Sequence, residues 1–363
     1  MKVVFSDRQL AHDPKHFLVS GAPQPNPEVP ERARRLAAAA RQAGHDLVAP
    51  QPCGLGPVAQ VHTPEYLQFL SGIVDRWRRI EGASAEVVPN IHPNGRGGNG
   101  PGGYPRSAVG QAGWHMADTA CPIAEGTWES ALASAEAAVH AARLVLGGDR
   151  AAYALCRPPG HHAFADMAGG FCFLNNAAIA AQHLRDRGAA RVAVLDVDLH
   201  HGNGTQGIFW ARGDVLTVSL HADPARFYPF FWGYREERGT GPGLGCNLNL
   251  PLDRGTGDDD YLAALDRGFE RIRAFAPDAL VVALGLDAFE GDPLAGLTVT
   301  TDGFGRIGTA IAGQGLPTVL VQEGGYLCDA LGANLVRFLS GFESALAPDP
   351  IDAASAAAVE APR

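Results

Sequence analysis

Residues 192–206 read V-A-V-L-D-V-D-L-H-H-G-N-G-T-Q, an apolar run that ends in a burst of ligand-type side chains. The run 192–197 is continuous and β-branched rather than alternating, the pattern of a strand buried on both faces. Similar runs stand at 152–156 (A-Y-A-L-C), 215–220 (V-L-T-V-S-L), 279–286 (A-L-V-V-A-L-G-L) and 317–322 (P-T-V-L-V-Q). Helical patterns at 176–187, 259–275 and 302–314 fall between several of them. Buried strands alternating with helices predict an α/β fold, a parallel sheet with helices on both faces. A short strand at Val3–Phe5 and helices over 31–43 and 64–82 precede this region. The Pro-rich stretch 14–30 reads as a long loop. Between Pro89 and Gly113, 12 of 25 residues are Gly or Pro, which reads as a linker or as an Ω-like loop over a site.

The chain has 363 residues, 46% of them hydrophobic and 19% charged, which excludes a disordered or coiled-coil protein. Lys+Arg total 29 against 39 for Asp+Glu, a net charge of -10. That balance opposes binding to nucleic-acid phosphates and leaves cationic small molecules or basic peptides as partners. The six cysteines include no C-x-x-C pair, Met1–Arg8 shows no signal-peptide pattern, and no apolar run reaches the length of a membrane helix. Reduced thiols and a cytoplasmic location are expected. The small-residue stretch 344–363 reads as a flexible tail behind one domain over 1–343.

Ligands of an open parallel sheet bind at the carboxyl ends of its strands, so the strand exits are where chemistry is expected. After 192–197 come Asp196, Asp198 and His200, two apart and on one face if the chain stays extended. An Asp in a β-to-α turn often only caps the next helix, but D-x-D-x-H-H packs two carboxylates that repel unless a cation intervenes. Asp287, at the exit of 279–286, supplies a third ligand beside Asp198 and His200 and leaves an open position for water. Imidazole and carboxylate donors suit Zn²⁺, or Fe²⁺. Beyond 152–156, the loop R-P-P-G-H-H carries His161 and His162, neighbours suited to proton transfer beside the metal. Beyond 317–322, E-G-G-Y presents the Tyr326 hydroxyl as a donor to a developing oxyanion.

An open metal site, a histidine pair and a hydroxyl donor are the parts of a metal-assisted amide hydrolase. Two other readings compete with it. A two-manganese ureohydrolase would want more carboxylates than 285–289 supplies, and position 203 is Asn. A non-enzymatic acyl-amine binder would have lost Tyr326 or a ligand, and neither is lost.

R-P-P-G-H-H (157–162), G-G-F-C-F-L-N-N (169–176), D-V-D-L-H-H-G-N-G-T-Q (196–206), S-L-H (219–221), G-L-D-A-F-E-G-D-P (285–293) and E-G-G-Y (323–326) resemble the zinc-dependent histone deacetylase family. The similarity runs from about residue 3 to 340, and S-L-H-A-D-P with F-Y-P-F-F-W-G-Y looks most like the bacterial acetylpolyamine amidohydrolases and histone deacetylase-like amidohydrolases. The resemblance implies a single arginase–deacetylase domain with about eight strands and one zinc ion on Asp198, His200 and Asp287. It implies His161 and His162 as the catalytic pair, oriented by Asp196 and Asn203, with Tyr326 as the electrophilic hydroxyl. An inner monovalent-cation site (K⁺ or Na⁺) falls on Asp196, Asp198, His200, Ser219 and Leu220, and an outer one on Phe209, Arg212 and Val215. Gly170, Phe171 and Phe227 match the walls of a narrow acyl channel, Leu294 its mouth, and Arg32 an acetate-exit route. The implied substrate is an acetylated (or short-acylated) primary amine, a polyamine or, alternatively, an acyl-lysine peptide; the implied assembly is a homo-oligomer, dimer or tetramer. In one respect the chain departs from polyamine-selective relatives: between Gly103 and Ala124 it offers only Asp118 as an acidic contact for a distal ammonium.

Overall fold

Each strand of the central sheet sends alternate residues to opposite faces, and both sets are apolar. In Ala279–Leu284, Ala279, Val281 and Ala283 join one core while Leu280, Val282 and Leu284 join the other. This explains the continuous apolar runs. The computed structural model describes residues 1–93, 103–294 and 296–346. Its eight-stranded sheet comprises β1 (Lys2–Val4), β4 (Asp46–Val48), β5 (Ala151–Ala154), β6 (Val192–Asp196), β7 (Val215–Ala222), β8 (Asn247–Leu252), β9 (Ala279–Leu284) and β10 (Thr318–Gln322). The order is β4-β1-β5-β10-β9-β6-β7-β8, and every pairing is parallel.

Helices cover both faces, giving a single α/β domain. On one side lie α3 (Pro64–Trp77), α5 (Thr127–Leu146) and α6 (Asn176–Asp186), packed through Phe69, Ile73, Ala138 and Ile179. On the other lie α1 (Pro30–Gln42), α8 (Asp258–Phe275), α9 (Thr301–Ala312) and α10 (Leu331–Ala345), packed through Leu36, Phe269, Ile307 and Phe338. The shorter α2 (Gly56–Ala59), α4 (Ala108–His115) and α7 (Asn203–Phe209) fill connections.

Several expectations need correction. The 14–30 stretch is not all loop, because β2 (His16–Val19) and β3 (Ala22–Pro25) pair as a hairpin. Its turn is built on Ser20 and Gly21 at φ +52° and +80°, a left-handed pair that suits a two-residue hairpin turn. Helix α3 ends at Trp77 rather than at 82, and α4 begins inside the Gly/Pro-rich segment, capped by the Ser107 side chain on Gly110 N. Residues 94–102 of that segment lie outside the described residues. So do 347–363 of the expected tail, while α10 runs on to Ala345. No disulfide joins the six cysteines among the described residues.

Candidate active site

Four neighbouring strands, β5, β10, β9 and β6, deliver the chemistry. Strand β6 ends at Asp196, and the chain then folds back on its own carboxylates instead of staying extended. Asp198 N donates to Asp196 Oδ1 (3.1 Å) and His200 N to Asp198 Oδ1 (2.8 Å). These successive Asx turns replace the shared strand face expected from the spacing. They turn Asp196 toward the histidine loop and Asp198 toward Asp287. The donor atoms of Asp198, His200 and Asp287 lie within 4.8 Å of one another, all buried. Gly324 N approaches to 2.7 Å from Asp198 Oδ2, and a Cβ on Gly324 would lie 2.2 Å from Asp287 Oδ2, so only glycine fits there.

Burial opposes charge on His200, yet hydrogen bonds to Asp198 and Asp287 and their negative charges lift it to about 9. This corner therefore favours positive charge strongly. Two convergent buried carboxylates and an imidazole are a donor set that fits a divalent cation of the Zn²⁺ or Fe²⁺ type.

The two histidines of the β5 exit loop sit 4.0 Å apart, ring to ring, and part company at Nδ1. His161 Nδ1 lies 2.9 Å from Asp196 Oδ2, and His162 Nδ1 lies 2.7 Å from Asn203 Oδ1. Burial disfavours the His161 cation, but Asp198 and Asp196 outweigh it and raise His161 to about 10. His162 has only an amide as partner; burial and the neighbouring His161 and His200 hold it well below the ordinary histidine range. One ring is thus held charged and the other neutral. Asn175, which caps α6 on Ala178 N, also fastens this loop through Nδ2 to Ala163 O (2.9 Å).

Tyr326 follows β10 and is 4% exposed. Burial raises its hydroxyl well above the usual value, against the pull of Arg32, so it stays a donor. The peptide joining Gly325 to Tyr326 is held at both ends. Its oxygen accepts from Arg32 Nε (2.5 Å), and its N–H donates to Asp292 Oδ2 (2.8 Å). Asp292 Oδ1 also accepts from Leu294 N (2.8 Å); burial and Asp287 push this carboxyl up to about 7. The Arg32 guanidinium lies 4.8 Å over the Tyr326 ring and is neutralised by buried Glu28, which also holds Arg157 (3.0 Å). Arg32 therefore sits behind Tyr326 and does not line the channel.

The channel is a cavity of about 550 Å³ lined by His162, His200, Tyr326, Gly170, Phe171, Phe227, Tyr228 and Leu294, with hairpin residues Phe17–Ser20 at its wall. Gly170 and Phe171, at φ +48° and +67°, bend the wall sharply. A Cβ on Gly170 would lie 2.5 Å from His162 Cδ2, so glycine is what lets the wall meet the histidine. Among the described residues, no carboxylate lines this cavity. Asp118, the acidic side chain expected to meet a distal ammonium, lies behind the wall instead. It accepts from Tyr228 Oη (2.6 Å), Gly170 N (3.2 Å) and Ala120 N (2.8 Å).

The remaining residues expected to form cation sites lie on and around β7 and α7. Ser219 pairs with Asp196 across β6 and β7 and shares its hydroxyl with His221 Nδ1 (2.8 Å), with Leu220 next on the same strand. Arg212 N donates to Phe209 O (2.9 Å), and Val215 opens β7 just beyond. Sequence reasoning missed Tyr228 and Asp292 and gave Glu323 no role. Asp292 stands in the quoted G-D-P but reads there as a turn residue, and Tyr228 reads as one more aromatic.

A histone deacetylase domain model matches residues 26–342. The chain belongs to the histone deacetylase domain family. Within that family it is 48% identical to an acetylpolyamine amidohydrolase of Burkholderia pseudomallei over 346 residues, covering 94% of this chain and 98% of the relative. It is 46% identical to acetylpolyamine amidohydrolase 1 of Pseudomonas aeruginosa, covering 95% and 99%. The crystal structure of an acetylpolyamine aminohydrolase from Burkholderia pseudomallei superposes with a TM-score of 0.91 at 47% identity, over 96% of this chain and all of that one. Among the described residues no helix is long and apolar enough to cross a membrane.

Proposed function

We propose that this histone deacetylase family member is a zinc-dependent amidohydrolase that removes acetyl or short acyl groups from an acylated primary amine, an acetylpolyamine being the substrate class. The observation that carries the reading is the convergence of Asp198, His200 and Asp287, with His200 lining the same apolar channel as His162 and Tyr326. The relatives' names favour acetylpolyamine over acyl-lysine peptide.

Asp198, His200 and Asp287 would hold the zinc ion, which supplies Lewis-acid polarisation of the amide carbonyl and acidifies bound water. His162 donates Nδ1–H to Asn203, leaving Nε2 free to take a proton at neutral pH. His161, hydrogen-bonded through Nδ1 to Asp196, would stabilise the negative charge that develops. Tyr326 donates its hydroxyl to the oxyanion. Phe171, Phe227 and Tyr228 exclude water around the acyl group, with Leu294 at the mouth. The inner K⁺ or Na⁺ on Asp196, Asp198, His200, Ser219 and Leu220, the outer one at Phe209, Arg212 and Val215, a catalytic domain over 1–343, a homo-oligomeric assembly and a cytoplasmic location belong to the same proposal.

Acetate release by the zinc-loaded chain from acetylputrescine, acetylspermidine and an acetyl-lysine peptide tests it. Turnover of the acetylpolyamines, lowered at least about a hundredfold by Tyr326→Phe, is expected. No release from any of the three overturns the hydrolase reading, and preference for the peptide overturns the substrate class.

A further inference from the structure

Strands β5 and β10 are paired only up to Ala154 and Val321. Beyond that point the ladder no longer ties together the loop carrying His161 and His162 and the loop carrying Tyr326. One side chain bridges them. Glu323 Oε2 accepts from Gly160 N (2.6 Å) and His161 N (3.1 Å), two successive N–H groups of the histidine loop. Its own backbone is fixed from both sides: Glu323 N donates to Leu284 O (2.8 Å) and its carbonyl accepts from Arg32 Nη2 (2.8 Å). The residue is fully buried and does not line the channel. Its second oxygen, Oε1, has no hydrogen-bond partner among the described residues.

We infer that Glu323 is a positioning residue for the reaction proposed above, on which this inference rests. Its carboxyl oxygen clips the Gly160–His161 backbone to the Tyr326 loop and so sets the distance between the proton-handling pair and the hydroxyl donor. One oxygen does this work, since Oε2 takes both N–H groups while Oε1 bonds nothing. Position rather than charge is therefore what the site needs, and a neutral carboxamide with the same reach serves as well. Gly160 has no freedom to find another anchor: a Cβ there would lie 2.4 Å from Asn176 N and 2.7 Å from Leu174 O, so the loop is already pressed against α6 on its far side.

The test compares wild type, Glu323→Gln and Glu323→Ala as full-length zinc-loaded protein, reading kcat and KM for acetylputrescine, zinc per chain and melting temperature. Glu323→Ala is expected to lower kcat at least about tenfold, part of what aligned acid–base catalysis supplies, with KM within about threefold and zinc retained. Glu323→Gln is expected to recover kcat to within about threefold of wild type. Loss of about tenfold or more in Glu323→Gln overturns the inference, because charge would then matter; this arm holds even if Glu323→Ala does not fold. Unchanged kcat in Glu323→Ala, or a loss that tracks lost zinc, overturns it too. An inactive wild type, by contrast, refutes the proposed function itself.

Discussion

Asp292 offers a sharp check on how Tyr326 is held. Its two oxygens each receive one backbone N–H at 2.8 Å, from Tyr326 and from Leu294, in a buried setting. In Asp292→Asn only one oxygen remains, and the amide NH₂ must face one of those N–H groups. With the carboxyl ionised, at a pH above about 7, one charge-assisted bond is lost and a donor meets a donor, a cost of about 1.5–3 kcal/mol. If that cost falls on the Tyr326 geometry in the transition state, kcat drops by roughly ten- to a hundredfold. The assay is acetate release at saturating acetylputrescine, with zinc content and melting temperature measured on the same samples. A double-mutant cycle sharpens it. Asp292 acts through Tyr326, so Asp292→Asn should cost little in a Tyr326→Phe background. Independent, multiplying losses would refute the reasoning, as would an Asp292→Asn enzyme within about twofold of wild-type kcat.

Three further predictions concern metal, proton and pH. Asp198→Ala and Asp287→Ala should lose metal and activity together, whereas His162→Ala should keep one zinc per chain while losing activity; elemental analysis of each variant decides, and zinc loss in the His162 variant contradicts its assigned role. Gly324→Ala should abolish metal retention with little change in secondary structure, since its Cβ would lie 2.2 Å from Asp287 Oδ2 and 2.5 Å from Asp198 Oδ2; normal zinc content would show that the loop can yield. Acid should destabilise the fold below about pH 6.5. Burial lowers His12 to about 3 and His62 and His221 to about 4, so between those values and 6.5 the unfolded chain binds protons that the folded chain does not. The contribution of these three histidines is complete above 6.5 and is lost as pH falls, by up to about 1.4 kcal/mol per pH unit for each. Denaturant titrations from pH 7.5 to 4.5 should show this slope, shallower in His62→Gln; a flat profile would refute it.

Much of this was legible in the sequence because the chemistry falls at strand exits. The apolar runs at 192–197 and 279–286 announce doubly buried strands, and Asp198, His200 and Asp287 are the side chains that leave them. Their convergence needed only the rule that parallel strands share an exit edge. What was not legible depends on tertiary approach. The D-x-D-x-H spacing suggests a common face, but the Asx turns that re-aim each side chain are set by hydrogen bonds to Asp287 and Gly324, about 90 and 125 residues away. Asp118 reads as an acidic contact for a distal ammonium until Tyr228, 110 residues later, takes its carboxylate. Strands β4 and β8 carry too little apolar run to stand out. The hairpin at 16–25 was hidden by two prolines, Pro23 and Pro25, and by a Ser-Gly turn whose handedness only the backbone reveals.

The place of β10 in the sheet has a consequence for how the molecule comes into being. It is the last strand among the described residues, yet it lies between β5 and β9 rather than at an edge. Until residues 318–322 emerge and slot in, β5 and β9 each keep a bare row of N–H and C=O groups, and the ligand loops have no partner to close upon. A ribosome-bound chain stopped short of Gln322 would carry the three candidate metal ligands and both histidines without the strand that brings Tyr326. Such a fragment would be prone to join its neighbours through those open edges. Reactivity thus waits on residues 318–322, and the strand that grants it brings Glu323 and Tyr326 along.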